Sequence, residues 1–315
     1  MNMKSNITIL ICLIVLTISC ANKTEPTWDQ IVNINWNKSY YISFEELKNR
    51  EQFIVFLRTG ISKDNYESKE VKDVLKSLEK KVLFEEFDPI LTLLYFSENN
   101  RKDKIISNTN LLTSLLRFNN EENNNSLGSY LLGYYYALNS DHDKCIKYLK
   151  EGNSRSEFNY YSEEIRKVIF EYYINKTGNE IFSYWTSILS GPSHAEFLGM
   201  YFRSITSNKK YIGKYKDKLN ILVHKEDIYK LGINLQKSNF YIIDENISRR
   251  TLLEGLDKNL NREMYQKIDN YYLERSKNKQ IDIGSELGED RFLEFLKNWY
   301  SYGEIYAFGE LNNSK

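Results

Sequence analysis

Cysteine, proline and histidine each occur only three times in 315 residues. Cys12, Cys20 and Cys145 are too few for a disulfide framework, so the fold must rest on a buried apolar core. So few prolines leave room for long uninterrupted helices. His142, His194 and His224 form no His-Glu-x-x-His pattern and have no cysteine at ligand spacing. No metal site is legible, and no cofactor is expected. His142 stands between Asp141 and Asp143, a trio that zinc would accept, but it reads better as a solvated turn. No charge sign prevails, since 43 basic residues face 43 acidic ones. That balance removes the electrostatic case for a nucleic-acid partner and for broad attraction to anionic lipid. A Gly-rich phosphate loop and a Gly-x-Ser-x-Gly elbow are also missing. The doublets Glu163-Glu164, Arg249-Arg250 and Glu289-Asp290 lie in charged stretches and read as wet helix faces. No motif supports an enzyme assignment.

What is present begins with the first twenty residues. Met1-Asn2-Met3-Lys4-Ser5-Asn6 is short, polar and carries one positive charge. Residues 7–18 are apolar except for Thr8 and Thr17. As a helix they reach roughly 18 Å, short of the bilayer's about 30 Å of hydrocarbon. Ser19-Cys20-Ala21 follows, completing the charged, apolar, small-residue order of a secretory signal. The order Leu16-Thr17-Ile18-Ser19-Cys20 resembles the lipobox of bacterial lipoproteins. Ser19 and Cys20 match it, while Thr17 stands where that family usually has leucine. The resemblance covers residues 1–20 and implies a signal peptide over 1–19 with lipid on the Cys20 thiol. Residues 20–42 then form a tether, and the membrane is a partner through that lipid. The implied location is the cell envelope: the outer membrane where one exists, otherwise the outer face of the cytoplasmic membrane. An uncleaved N-terminal anchor is the alternative. Cys145 is left as the lone thiol and reads as a small buried apolar residue.

Beyond the tether the periodicity is helical and the expected class is all-α, built from antiparallel helix pairs. Trp28 and Trp36 mark where packing begins. Ser43-Phe44-Glu45-Glu46 has the form of a capping box, and Gly60 closes the helix that follows. Val71, Val74, Leu75 and Leu78 stripe a charged helix over 68–82, and Pro89 opens an apolar one. Residues 119–125, Asn-Asn-Glu-Glu-Asn-Asn-Asn, read as a solvated loop. They divide an N-terminal helical block (43–118) from a C-terminal repeat-like block (126–315). In the second block Asn139-Ser140-Asp141, Gly178 and Gly191-Pro192 end helices, and Ser193…Glu196 is a second capping box. Further stripes fall near 212–223, 227–236, 248–256 and 262–274, and the last is Phe292, Leu293, Leu296 and Trp299. Phe240-Tyr241-Ile242-Ile243 is the one candidate strand.

Leu132-Gly133…Tyr136, Leu198-Gly199…Phe202 and Leu231-Gly232…Leu235 repeat one pattern at spacings of 66 and 33 residues. This resembles the tetratricopeptide repeat. In the first unit Cys145, Leu149 and Gly152 also match the family's second helix. Tyr211 and Asp244 stand where the later units want a small residue, and Arg166 replaces the glycine expected beside Ile165. Leu127-Gly128 and Leu287-Gly288 are out of phase. The resemblance covers about 126–260 and implies a solenoid with a concave face for a peptide or protein partner. A non-repeating helical fold stays open beside it. The aromatic run over 299–308 either closes the last helix pair or forms a binding surface. The expected role is a membrane-anchored binding or scaffold lipoprotein of the envelope. An envelope hydrolase using a buried glutamate and a surface lipoprotein contacting a host are the alternatives.

Overall fold

The computed structural model describes residues 42–61, 65–101, 104–192, 197–198, 223–237, 241–256, 261–277, 289–304, 306–307 and 310. Several expectations lie outside them. These are Cys12, Cys20, Trp28, Trp36, the box Ser193…Glu196, Gly199, Phe202, Tyr211, Phe240, Leu287-Gly288 and the 212–223 stripe except Val223.

The described chain is all-α and forms twelve α-helices. They are α1 (Arg50–Val55), α2 (Lys69–Phe84), α3 (Pro89–Arg101), α4 (Thr109–Glu121), α5 (Ser126–Leu138) and α6 (His142–Ser154). There follow α7 (Ser162–Thr177), α8 (Glu180–Ser190), α9 (Lys225–Gln236), α10 (Ile242–Gly255), α11 (Arg262–Lys277) and α12 (Glu289–Tyr302). Among the described residues the only β pairing is an isolated bridge between Asn125 and Glu157.

Short polar side chains set most helix starts. Asn49, Ser68, Asn108, Asn125, Asp141 and Asn179 each accept a bond from a first-turn backbone N–H. Asp88 does the same for Ile90 and Leu91, with Pro89 at the first helical position. The abundance of asparagine thus has a local use. The expected Ser43 box forms only a single 3-10 turn, Phe44–Glu46, in which the Glu46 carboxylate accepts from the Ser43 N–H. The helix proper waits for the Asn49 cap. It then widens into one π-turn, Phe56–Gly60.

Three hairpins are antiparallel by their contacts. In α5–α6, Tyr130 bonds Asn153 and Tyr136 stacks on Tyr148. In α7–α8, Tyr173 meets Phe182 and Phe170 meets Tyr184. In α9–α10, Gly255 lies on Tyr229 and Gly232 on Leu252. Helix α5 is buried at all its positions, which places it at the centre.

The hairpins do not stack in chain order. α9 packs on α6, while α7 and α8 turn aside to pack on α1 and α12. The departure occurs at Tyr161, which precedes α7 in the left-handed region (φ 57°) with its ring edge-on to Phe118. A bulky residue there carries backbone strain of about 1–3 kcal/mol, offset by its packing. The turns flanking α1 are tied to α7 by Glu46, which accepts from Tyr172 (2.6 Å) and Lys176 (2.9 Å), and by Thr59 bonded to Tyr173 (2.7 Å).

Two sequence expectations are corrected. Tyr241, Ile242 and Ile243 open α10 and form no strand. Tyr241 is its extended cap and donates its N–H to Asp244 (3.1 Å). Residues 119–125 are also not a solvated loop throughout. α4 runs on to Glu121, and Asn119 and Asn125 are buried. Their amides are satisfied inside: Asn119 donates to Glu151 (2.8 Å) and accepts from Ser129 (2.7 Å), and Asn125 donates to the Asn159 carbonyl (2.8 Å). One apolar cluster passes through this point, from Ile42 to Leu235. A second, smaller cluster joins α8 to α12 around Ile188, Phe295 and Leu296.

Candidate functional site

The described residues singled out by the repeat pattern belong to the core. Leu132, Cys145, Leu198 and Leu231 have no exposed surface, Gly133 and Gly232 are buried, and Tyr136 is nearly so. Tyr136 stacks on Tyr148 with ring centroids 5.5 Å apart, and the Lys144 ammonium lies over it at 4.9 Å. Leu132, Gly133, Tyr136 and Cys145 share the α5–α6 hairpin, and Leu231 and Gly232 lie on α9. Gly232 and Gly255 are where α9 and α10 approach closely: an added Cβ would lie 2.8 Å from the Leu252 backbone nitrogen at the first and 2.3 Å from that of Tyr229 at the second. The two units meet through Asn234 of α9. Its amide donates to the Tyr130 hydroxyl (2.8 Å), the Gly152 carbonyl (3.2 Å) and Ser126 Oγ (3.4 Å).

Two misfit positions of the pattern, Arg166 and Asp244, are polar and buried. Asp244 accepts from the Tyr160 hydroxyl (2.9 Å), and burial together with that carboxylate pushes the Tyr160 phenol well up. Arg166 donates to Ser162 and packs against Gly191, where Tyr241 also arrives. These groups knit α7 and α10 to the end of α8, where Tyr241 donates to the Ile188 carbonyl (2.7 Å). His142 begins α6 and His224 caps α9. Among the described residues no three His, Cys, Asp or Glu side chains cluster as a metal would need.

The aromatic run near the C-terminus serves mainly as a cap. Trp299 meets Trp185, and Tyr300 meets Tyr184 and Phe170. Tyr302 and Tyr306 stay exposed, in ring contact at 4.7 Å.

The pattern did not mark a depression of about 280 Å³ between α2, α3 and the link to α4. α2 supplies Leu75, Lys76 and Glu79, α3 supplies Tyr95, Glu98 and Asn99, and the link supplies Lys104 and Asn108. Helix phase puts them there. Glu98 follows Leu91 by seven residues and Leu94 by four, at the end of the stretch from Ile90 that α3 buries on every side, and it is 7 % exposed. A carboxylate so placed needs hydrogen bonds to offset its lost hydration. Glu98 accepts from the Tyr66 hydroxyl (3.1 Å). Beside it one oxygen of Glu79 accepts from Tyr95 (2.9 Å) and Asn110 (2.9 Å). Burial first, and then the Glu79 bond, raise the Tyr95 phenol well above its usual value, so it remains a donor. Asn108 links to Asn99 (3.0 Å) and caps α4, which fixes the floor of the link. An acidic residue in phase with an apolar stripe was the available signal. It means little until the partner helices are known. No family model, curated protein or solved structure matches this chain.

Proposed function

We propose that the chain is a lipid-anchored binding or scaffold protein of the cell envelope, held on its membrane through Cys20. The observation that carries this reading is the charged, apolar, small-residue order that ends at Ser19-Cys20. Each buried methylene of an acyl chain contributes about 0.8 kcal/mol, so two or three chains give stable anchoring. The body supports a binding role through the polar-lined depression between α2, α3 and the link to α4, which is open to a short peptide or to the end of a partner chain. Among the described residues no helix is long and apolar enough to cross a membrane. The test is metabolic labelling with a palmitate analogue, followed by fractionation. Wild type should be labelled and sediment with membranes, and Cys20→Ser should be unlabelled and released. An unlabelled wild-type chain that still begins at Met1 would overturn the proposal.

Glu98 favours a second reading, an envelope hydrolase, because it is a buried carboxylate lining an open depression. Cell-wall cleavage by the purified chain that is lost in Glu98→Gln would replace the first reading with this one.

A further inference from the structure

The depression carries balanced charge, with Lys76 and Lys104 against Glu79 and Glu98. Several described lysines hold a carboxylate at about 3 Å: Lys81 with Glu85, Lys144 with Asp141, Lys176 with Glu46 and Lys230 with Glu226. Among the described residues Lys76 and Lys104 hold none, and both are exposed. The Tyr95 and Asn110 bonds both fall on the same Glu79 oxygen. Among the described residues the other oxygen accepts nothing, although the side chain is half-buried. Leu75 adds apolar wall. The amides do not compete for a ligand, since Asn99 donates to the Tyr95 carbonyl (2.8 Å) and Asn108 accepts from the Leu111 N–H (3.0 Å).

From this geometry we infer that the depression binds a small zwitterion, an amino acid or the free end of a short peptide. The ligand carboxylate pairs with Lys76 and Lys104, and its ammonium donates to the open oxygen of Glu79. Its side chain lies on Leu75. A ligand with one charge only leaves half of this equipment unmatched. The volume is below the roughly 300–1,000 Å³ of pockets that hold drug-sized molecules, which limits the ligand to about one or two residues. The inference rests on the reading of the chain as a binding protein and names its ligand class.

The experiment is isothermal titration of the full chain, solubilised in a neutral detergent, with glycylglycine. N-acetyl-glycylglycinamide, acetate and methylammonium serve as comparison probes. The free dipeptide should bind in the millimolar range, and the capped one at least tenfold more weakly. Glu79→Gln and the double variant Lys76→Ala/Lys104→Ala should each lose at least tenfold. The lysines are exposed, so their removal leaves the fold intact even if the Glu79 change does not. Equal binding of capped and free dipeptide, unchanged affinity in the lysine variant, acetate binding as well as the dipeptide, or no heat from glycylglycine would each overturn the inference. Lipid labelling of Cys20 is read separately. A labelled chain that ignores the dipeptide sinks this inference alone, and an unlabelled chain sinks the anchoring proposal alone.

Discussion

Gly152→Ala tests how closely α5 and α6 approach. The added Cβ would lie 2.4 Å from Tyr130 Cε1 and 2.7 Å from Cδ1, distances that real Cβ atoms do not show. The ring has little freedom to retreat. Tyr130 has no exposed surface, its hydroxyl donates to Asn153 (3.0 Å), and it accepts from Asn234 (2.8 Å). Overpacking of this kind costs about 1–3 kcal/mol. Displacing the ring also weakens two buried hydrogen bonds worth about 1 kcal/mol each. Against this, alanine is favoured over glycine inside a helix by about 1 kcal/mol. The expected net loss is about 1–3 kcal/mol. At roughly 2–4 °C per kcal/mol for a chain of this size, Tm falls by about 2–12 °C. The assay is urea unfolding followed by far-ultraviolet circular dichroism, with the slope compared between variants. Tyr130→Leu in the same chain should absorb part of the loss, giving a coupling of at least 0.5 kcal/mol. A Gly152→Ala protein as stable as wild type would refute the close approach and the central packing argued from it.

Asn234→Ala removes the donor shared by Tyr130, Gly152 and Ser126, at a cost of roughly 1–3 kcal/mol. Hydrogen exchange should then speed up across α9 and α10 before α5 and α6; uniform acceleration of all four helices would count against a docking role. Arg155→Ala leaves the carbonyls of Asn119, Glu122 and Asn125 without the guanidinium that closes them, costing about 2–4 kcal/mol by chemical denaturation. Retained stability would show that water replaces it. Glu46 is held at about 2: burial works against this, but the bonds from Tyr172 and Lys176 prevail. A carboxylate lowered on folding contributes stability that is full above its ordinary value of about 4.5 and is lost as pH falls towards 2. Glu46→Gln should therefore flatten the stability profile between pH 4.5 and 2 and leave α1 looser at neutral pH. An unchanged acid limb would exclude this residue as the source.

Local features were legible in the sequence, and the long-range arrangement was not. Pro89, Gly178 and the Asn139-Ser140-Asp141 turn mark helix ends because each acts on its own backbone. The α5–α6 hairpin was legible because Leu132, Gly133, Tyr136, Cys145 and Gly152 lie close together in the chain. The sideways course of α7 and α8 was not. It depends on Tyr161 adopting a conformation that its residue type disfavours, and on Asn234 meeting Tyr130, 104 residues away. Asn119 and Asn125 misled because composition records polarity and not whether an amide finds its partners inside. The depression escaped notice because three separate segments build it.

Because α1 rests on α7, the order in which the chain emerges matters. Thr59 must wait for Tyr173, 114 residues later, and Glu46 for Tyr172, 126 residues later. At about 5–20 residues per second that delay is on the order of ten seconds. Throughout it Phe53, Ile54 and Val55 lack the α7 wall of their seat and have only the smaller contact with α3, although the finished protein hides all three. The first part of the body to be made is thus among the last to find its seat, and it is the part that must be kept from sticking to strangers meanwhile.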